Sequence, residues 1–167
     1  MRMILQNAVR PQRGMGTVLA EIGRKHEGVE FPKTRRRSPV RPVKPDAAVL
    51  AWLNRQAPET LYLTTITLAA LRAGIEILPV GKRRTALQAA TTELVAQFER
   101  HVLSFDQDSA HAFGRVFSGT QAAGNPIHFG DCAISAIAVR RGFVLATRNV
   151  RDYKGAGIEL INPWNAP

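Results

Sequence analysis

From Pro45 to its end the chain alternates short apolar runs with longer stretches whose apolar residues recur every three or four positions. "PDAAVLAWLNRQ" offers Asp46 as a helix cap, followed by Val49, Leu50, Trp52 and Leu53 on one stripe. "LYLT", 61–64, reads as a short strand, and "TLAALRAGIEIL", 67–78, as a helix capped by Thr67 and stopped by Pro79 and Gly81. "KRRTALQAATTELVAQFERH", 82–101, is the longest helical stretch, with Leu87, Leu94, Val95 and Phe98 facing inward. "VLSF", 102–105, is a strand running into Asp106, and "DSAHAFGRVFSGTQAAG" is a helix closed by Gly124. A helix over 129–141 ends at Gly142, and "FVLAT", 143–147, and "IELI", 158–161, supply the last strands. Strands alternating with helices predict an α/β domain with a mainly parallel sheet and right-handed crossovers.

The first 45 residues break this pattern. Four glycines punctuate residues 14–28, and "FPKTRRRSPVRPVKP" crowds four prolines among Lys and Arg, a composition that favours extended or disordered chain. The net charge of +10 is uneven: +8 falls on residues 1–45 and only +2 on residues 46–167. The basic stretch is either a solvated tail or an arm that grips nucleic acid without sequence preference. A chain of 167 residues suits one domain with a real core. No apolar run approaches the roughly 18–20 residues of a bilayer span, and "MRMILQNAVRPQRG" is too interrupted for a secretory signal. The single cysteine, Cys132, excludes an internal disulfide framework and a cysteine zinc cluster, so the cytoplasm is the expected compartment.

In parallel sheets, chemistry gathers beyond the carboxyl ends of the strands. Asp106, "TRNVRD" and Asp131 all fall there, and acids converging at that edge suggest divalent-metal chemistry. Each has a plainer reading. Asp131 in a first helical turn complements the macrodipole, and Asp106 suits a helix cap better than a metal. His26, His101, His111 and His128 form no ligand spacing, although His128, three residues before Asp131, could meet a phosphate. Arg148 and Arg151 could hold phosphates or stand in a solvated loop. No P-loop or nucleophile elbow is present.

The order "LYLTTITLAALRAGIEILPVGKRR", "VLSFD", "GNPIHFGDCAISAIAVRRGFVLATRNVRDYKGAGIELINPW" resembles the PIN-domain family, closest to its VapC/FitB-like toxins of toxin–antitoxin pairs, over about residues 42–164. The resemblance implies a three-layer α/β/α fold with a mainly parallel sheet over 42–167, preceded by a basic, atypical segment at 1–41. It implies a Mg²⁺- or Mn²⁺-dependent endoribonuclease of the bacterial cytoplasm that forms a homodimer and has RNA and a cognate antitoxin as partners. Carried over by residue, the metal positions are Asp131, Asn149 and Asp152, of which Asp131 and Asp152 would be catalytic, and Arg148 and Arg151 would contact RNA. The pattern is degenerate here. Where the family has a central N-terminal strand bearing an acid, this chain reads "PKTRRRSPV", and where a helical Glu is usual it has Ala70. Glu76 lies about 240° around the helix from Ala70 and does not replace it. Residues 3–9 offer a faint substitute strand that would bring Asn7 near the lost acid. Two missing acids imply impaired catalysis; the alternatives are an inactive decoy that captures an antitoxin and a basic RNA-binding protein. A lost central strand also implies a gap in the sheet and lower stability.

Overall fold

The computed structural model describes residues 14–26 and 46–165. In chain order the elements are α1 (Met15–Lys25), α2 (Ala47–Arg55), β1 (Leu63–Thr64), α3 (Thr65–Glu76), α4 (Lys82–Ala96), β2 (Val102–Leu103), α5 (Gln107–Ala122), α6 (Phe129–Arg141), β3 (Leu145–Ala146) and β4 (Leu160–Ile161). Single 3-10 turns add Pro58–Thr60 and Val150–Tyr153. Every strand falls inside an expected apolar run, and both pairings are parallel. Leu63 and Thr64 lie opposite Val102 and Leu103; Leu145 and Ala146 lie opposite Leu160 and Ile161.

The strands nevertheless make two separate two-stranded sheets among the described residues. A cleft of about 860 Å³ lies between them, walled by Leu61–Thr64 on one side and Phe143–Ala146 on the other. Ile134, Ile137 and Ala138 of α6 contribute its apolar lining. In a parallel ladder, alternate peptide groups point to opposite edges. Leu63 N–H donates to His101 O at 2.9 Å and Leu145 N–H to Glu159 O at 2.9 Å, each toward its own sheet partner. The peptide groups of Tyr62, Thr64, Val144 and Ala146 therefore turn the other way. Among the described residues no strand pairs there, at the place where a replaced first strand would leave a gap. The rings of Tyr62 and Phe143, 4.9 Å apart, bridge it. Residues 3–9, the candidate substitute, lie outside the described residues.

The core sits on the α5–α6 hairpin. Ala112 and Val116 of α5 meet Cys132 and Ala136 of α6, and Ile127, Tyr153 and Ala156 close the cluster. Small residues at the crossing let the helix axes approach, and Arg140 near the end of α6 bonds Asp108 in the first turn of α5 through Nε at 3.1 Å. Gly142 ends α6 in the left-handed conformation at φ 66°, as read. Two helix boundaries differ from the sequence expectation. Thr64, not Thr67, caps α3: its Oγ1 accepts the Thr67 N–H at 3.0 Å and bonds the Thr67 hydroxyl at 2.9 Å. Helix α4 stops at Ala96, five residues short, because Phe98 N–H turns back to Val95 O and His101 N–H to Phe98 O, feeding β2.

A larger correction concerns residues 15–25. The glycines there read as breakers, yet Met15–Lys25 form a helix packed on α2 and α4. Met15, Val18, Leu19 and Ile22 recur at helical spacing, and Met15 and Ile22 are buried. Gly16 is needed for contact rather than for a turn: a Cβ there would lie 2.3 Å from Leu50 O.

Asp106 caps α5 as expected, accepting Ser109 N–H at 2.9 Å and Ser109 Oγ–H at 2.6 Å. Those bonds, with Arg141 nearby, hold its carboxyl below the ordinary carboxylate value. Folding thus favours the ionised form, so this stabilisation is present above the ordinary value and is lost as pH falls through the lowered one. Unfolding followed from about pH 7 to about pH 2 is expected to show a shallower acid-side loss of stability in Asp106→Asn than in the parent. Equal slopes would contradict this.

Candidate functional site

Asp131 stands in the first turn of α6, where the helix end favours a negative charge. Gly130 beside it packs on α3: a Cβ at Gly130 would sit 3.9 Å from Ile66 Cγ2. The Asp131 carboxylate is half-buried and accepts a 3.1 Å hydrogen bond from Tyr153 Oη. Tyr153, at the end of the Val150–Tyr153 turn, is 8% exposed. Its phenol is pushed far above its ordinary value, first by burial, then by the charge and hydrogen bond of Asp131 and the charge of Asp152, with Thr147 opposing. The phenol therefore remains a proton donor at neutral pH and fixes the carboxylate that faces it. Asp131, Asp152 and Thr147 all act on this one hydroxyl.

The loop that carries the remaining candidates is held by its backbone. Asn149 N–H donates to Thr147 Oγ1 at 3.1 Å, while the Asn149 residue is exposed. Asn125 Nδ2 donates to the carbonyls of Arg151 (3.3 Å), Asp152 (3.0 Å) and Lys154 (3.4 Å), which clamps the turn from the α5–α6 connection. Asp152 and Arg151 are exposed. Arg148 lies over the Trp164 ring, 5.7 Å from its centre. Ala70 is exposed and lies four residues after Ile66, on the same face of α3. Glu76 is engaged elsewhere: it pairs with Arg84 and accepts from Gln88 Nε2 at 3.3 Å, both on α4, as its helical angle implied. His128 precedes α6 without capping it through its side chain.

Mg²⁺ and Mn²⁺ are hard cations that take several oxygen ligands. Among the described residues no group of three or more His, Cys, Asp or Glu side chains is placed to hold a metal. The two carboxylates carried over from the resemblance, Asp131 and Asp152, thus have no third such group beside them among the described residues, and Asp131 accepts from the Tyr153 phenol. Sequence reasoning missed Tyr153, Thr147, Asn125 and Trp164. Asp131 and Tyr153 are 22 residues apart, a separation with no motif signature, and Asn125 acts on carbonyls, which leave no mark on side-chain pattern.

The parallel α/β fold, with an acid opening a helix beside the sheet, defines a class that the family comparison identifies. The PIN domain family matches residues 41–156, and the chain belongs to that family, on its VapC/FitB-like branch. It is 44% identical over 124 residues to the plasmid stability protein StbB of Pseudomonas syringae pv. tomato, covering 74% of this chain and 89% of that protein. It is 41% identical over 122 residues to the VapC ribonuclease Y4jK of Sinorhizobium fredii, covering 72% and 87%. Toxin FitB of Neisseria gonorrhoeae is 31% identical over 128 residues, covering 76% and 91%. Among solved structures, FitAB bound to an IR36 DNA fragment superposes with a TM-score of 0.71 at 30% identity, over 77% of this chain and 90% of that one. Among the described residues no helix is long and apolar enough to cross a membrane.

Proposed function

We propose that this chain is a PIN-domain toxin of a toxin–antitoxin pair whose metal-dependent RNA hydrolysis is impaired. Its relatives include a VapC ribonuclease and toxin FitB, and the FitAB structure it resembles pairs a toxin with a second protein. The observation that carries the impairment is Ala70: where a helical Glu is usual in the family, α3 carries an exposed alanine on the same face as Ile66, which lies against Gly130 beside Asp131. A Mg²⁺ ion near a scissile phosphate activates water and offsets developing charge, and that requires more than one anionic ligand. Asn149 and Asp152 remain the other candidate ligand positions, Asp152 being the second candidate catalytic acid, and Arg148 and Arg151 the candidate RNA contacts. Arg148 is committed to Trp164, which leaves Arg151 as the freer of the two to meet a phosphate.

Incubated with single-stranded RNA and Mg²⁺ or Mn²⁺, the chain is expected to cleave no faster than its Asp131→Ala variant. Metal-dependent cleavage that Asp131→Ala abolishes would overturn the impairment and restore the enzyme reading. A second reading, capture of an antitoxin without catalysis, is favoured by the fold's likeness to a toxin–antitoxin complex. Co-purification with the product of an adjacent antitoxin reading frame, with no cleavage by the free chain, is its expected signature.

A further inference from the structure

Helix α1 lies outside the residues that match the PIN domain, and yet it is docked on them. It occupies a groove between α2 and α4 that has a distinct chemistry at each end. At the first end Gly14 and Gly16 allow backbone contact. Cβ atoms there would lie 2.6 Å from Asn54 Oδ1 and 2.3 Å from Leu50 O, both on α2. Asn54 Oδ1 also accepts Thr17 Oγ1–H at 3.2 Å and, at 2.8 Å, the first-turn Thr17 N–H, which it shares with Gly14 O at 3.0 Å. At the other end Lys25 Nζ and His26 Nε2 lie 3.0 and 3.1 Å from Glu93 Oε2 of α4. Met15 and Ile22 are buried in between. The contacts are specific in register and polarity: small residues at one end, apolar spacing along the middle, cations at the last turn.

We propose that the α2–α4 groove is a docking site for a partner helix, and that residues 14–26 occlude it in cis. The partner has the chemistry of the occluder: an amphipathic helix with glycines in its first turn and basic residues in its last. Residues 27–45 link the two parts, so the occluder competes at the high effective concentration of a tethered ligand and a free helix binds only the released fraction. This inference goes beyond the function proposed above and does not depend on it, because the groove and the Asp131 pair share no residue.

The test uses the full chain and a fluorescein-labelled peptide of residues 14–26 as probe. Gly16→Val leaves the groove intact but places a side chain against Leu50 O, so the occluder cannot dock. The Gly16→Val chain is expected to bind the peptide at least about tenfold more tightly than the parent does. A peptide carrying the same substitution is expected not to bind. Equal affinity of parent and variant, or no binding by a folded variant, would overturn the proposal. Light scattering guards against a second occupant. A parent dimer that Gly16→Val converts to monomer would mean that α1 docks on another copy, and it too would overturn occlusion in cis. Should Gly16→Val fail to fold, Glu93→Gln on the groove rim provides an independent measurement. It is expected to speed amide hydrogen exchange in Val18–Ile22 and leave α5 and α6 unchanged. Unaltered exchange in α1 would count against the proposal.

Discussion

Ile137→Ala is expected to lower the unfolding free energy by about 2–5 kcal/mol, the range for truncating a fully buried aliphatic side chain. Ile137 is 0% exposed and stands on α6 beside the cleft between the two half-sheets. With a strand absent between β1 and β3 among the described residues, the surroundings have no continuous sheet to collapse against the void. The upper half of that range is therefore the expectation. Urea unfolding of parent and variant measures the difference, and a loss below about 1 kcal/mol would show that neighbouring side chains fill the space.

Gly155→Ala is expected to cost roughly 2–4 kcal/mol, by combining left-handed backbone strain with overpacking. Gly155 has φ 82°, and a Cβ there would lie 2.6 Å from Ala123 Cβ and 2.7 Å from Gly119 O. The second contact is with backbone, which cannot swing aside as a flexible side chain could. The loss bears on the site as well as on stability, because Gly155 follows the turn that carries Tyr153. Displacing that turn lengthens the Tyr153–Asp131 hydrogen bond. Ultraviolet titration is then expected to place the Tyr153 phenol nearer its ordinary value than in the parent, since burial and Asp131 are its two leading causes of elevation. A variant as stable as the parent, with an unchanged phenol titration, would contradict the packing described for this loop.

Much of the architecture was legible in the sequence because it is written in local pattern. The helix at Phe129–Arg141 matches its expected limits, because a left-handed glycine follows an unbroken helical run. Asp106 and Asp46 cap α5 and α2, as their positions before apolar periodic stretches indicate. The strands were located but overestimated in length: each pairs over two residues, since pairing depends on a neighbour, and for β1 and β3 the neighbour on one side is absent among the described residues. Helix α1 was misread because Gly16 carries two opposite meanings. It costs helix propensity locally, and it permits the close approach to Leu50 that secures the helix.

The candidate site divides along the same line. That Asp131 opens a helix, that position 70 is an alanine and that residues 32–40 read "PKTRRRSPV" are properties of residue identity and order, and the chain alone determined them. The family followed from the same order. Tertiary structure decided the company each residue keeps: Tyr153 on Asp131, Asn125 across three carbonyls, Trp164 beneath Arg148, and α1 in the α2–α4 groove. The physical reason is range. Capping, turn chemistry and helical periodicity act over about four residues and leave their mark in the sequence. A hydrogen bond between positions 22 apart, or a helix lodged in a distant groove, exists only once packing has brought the two surfaces together.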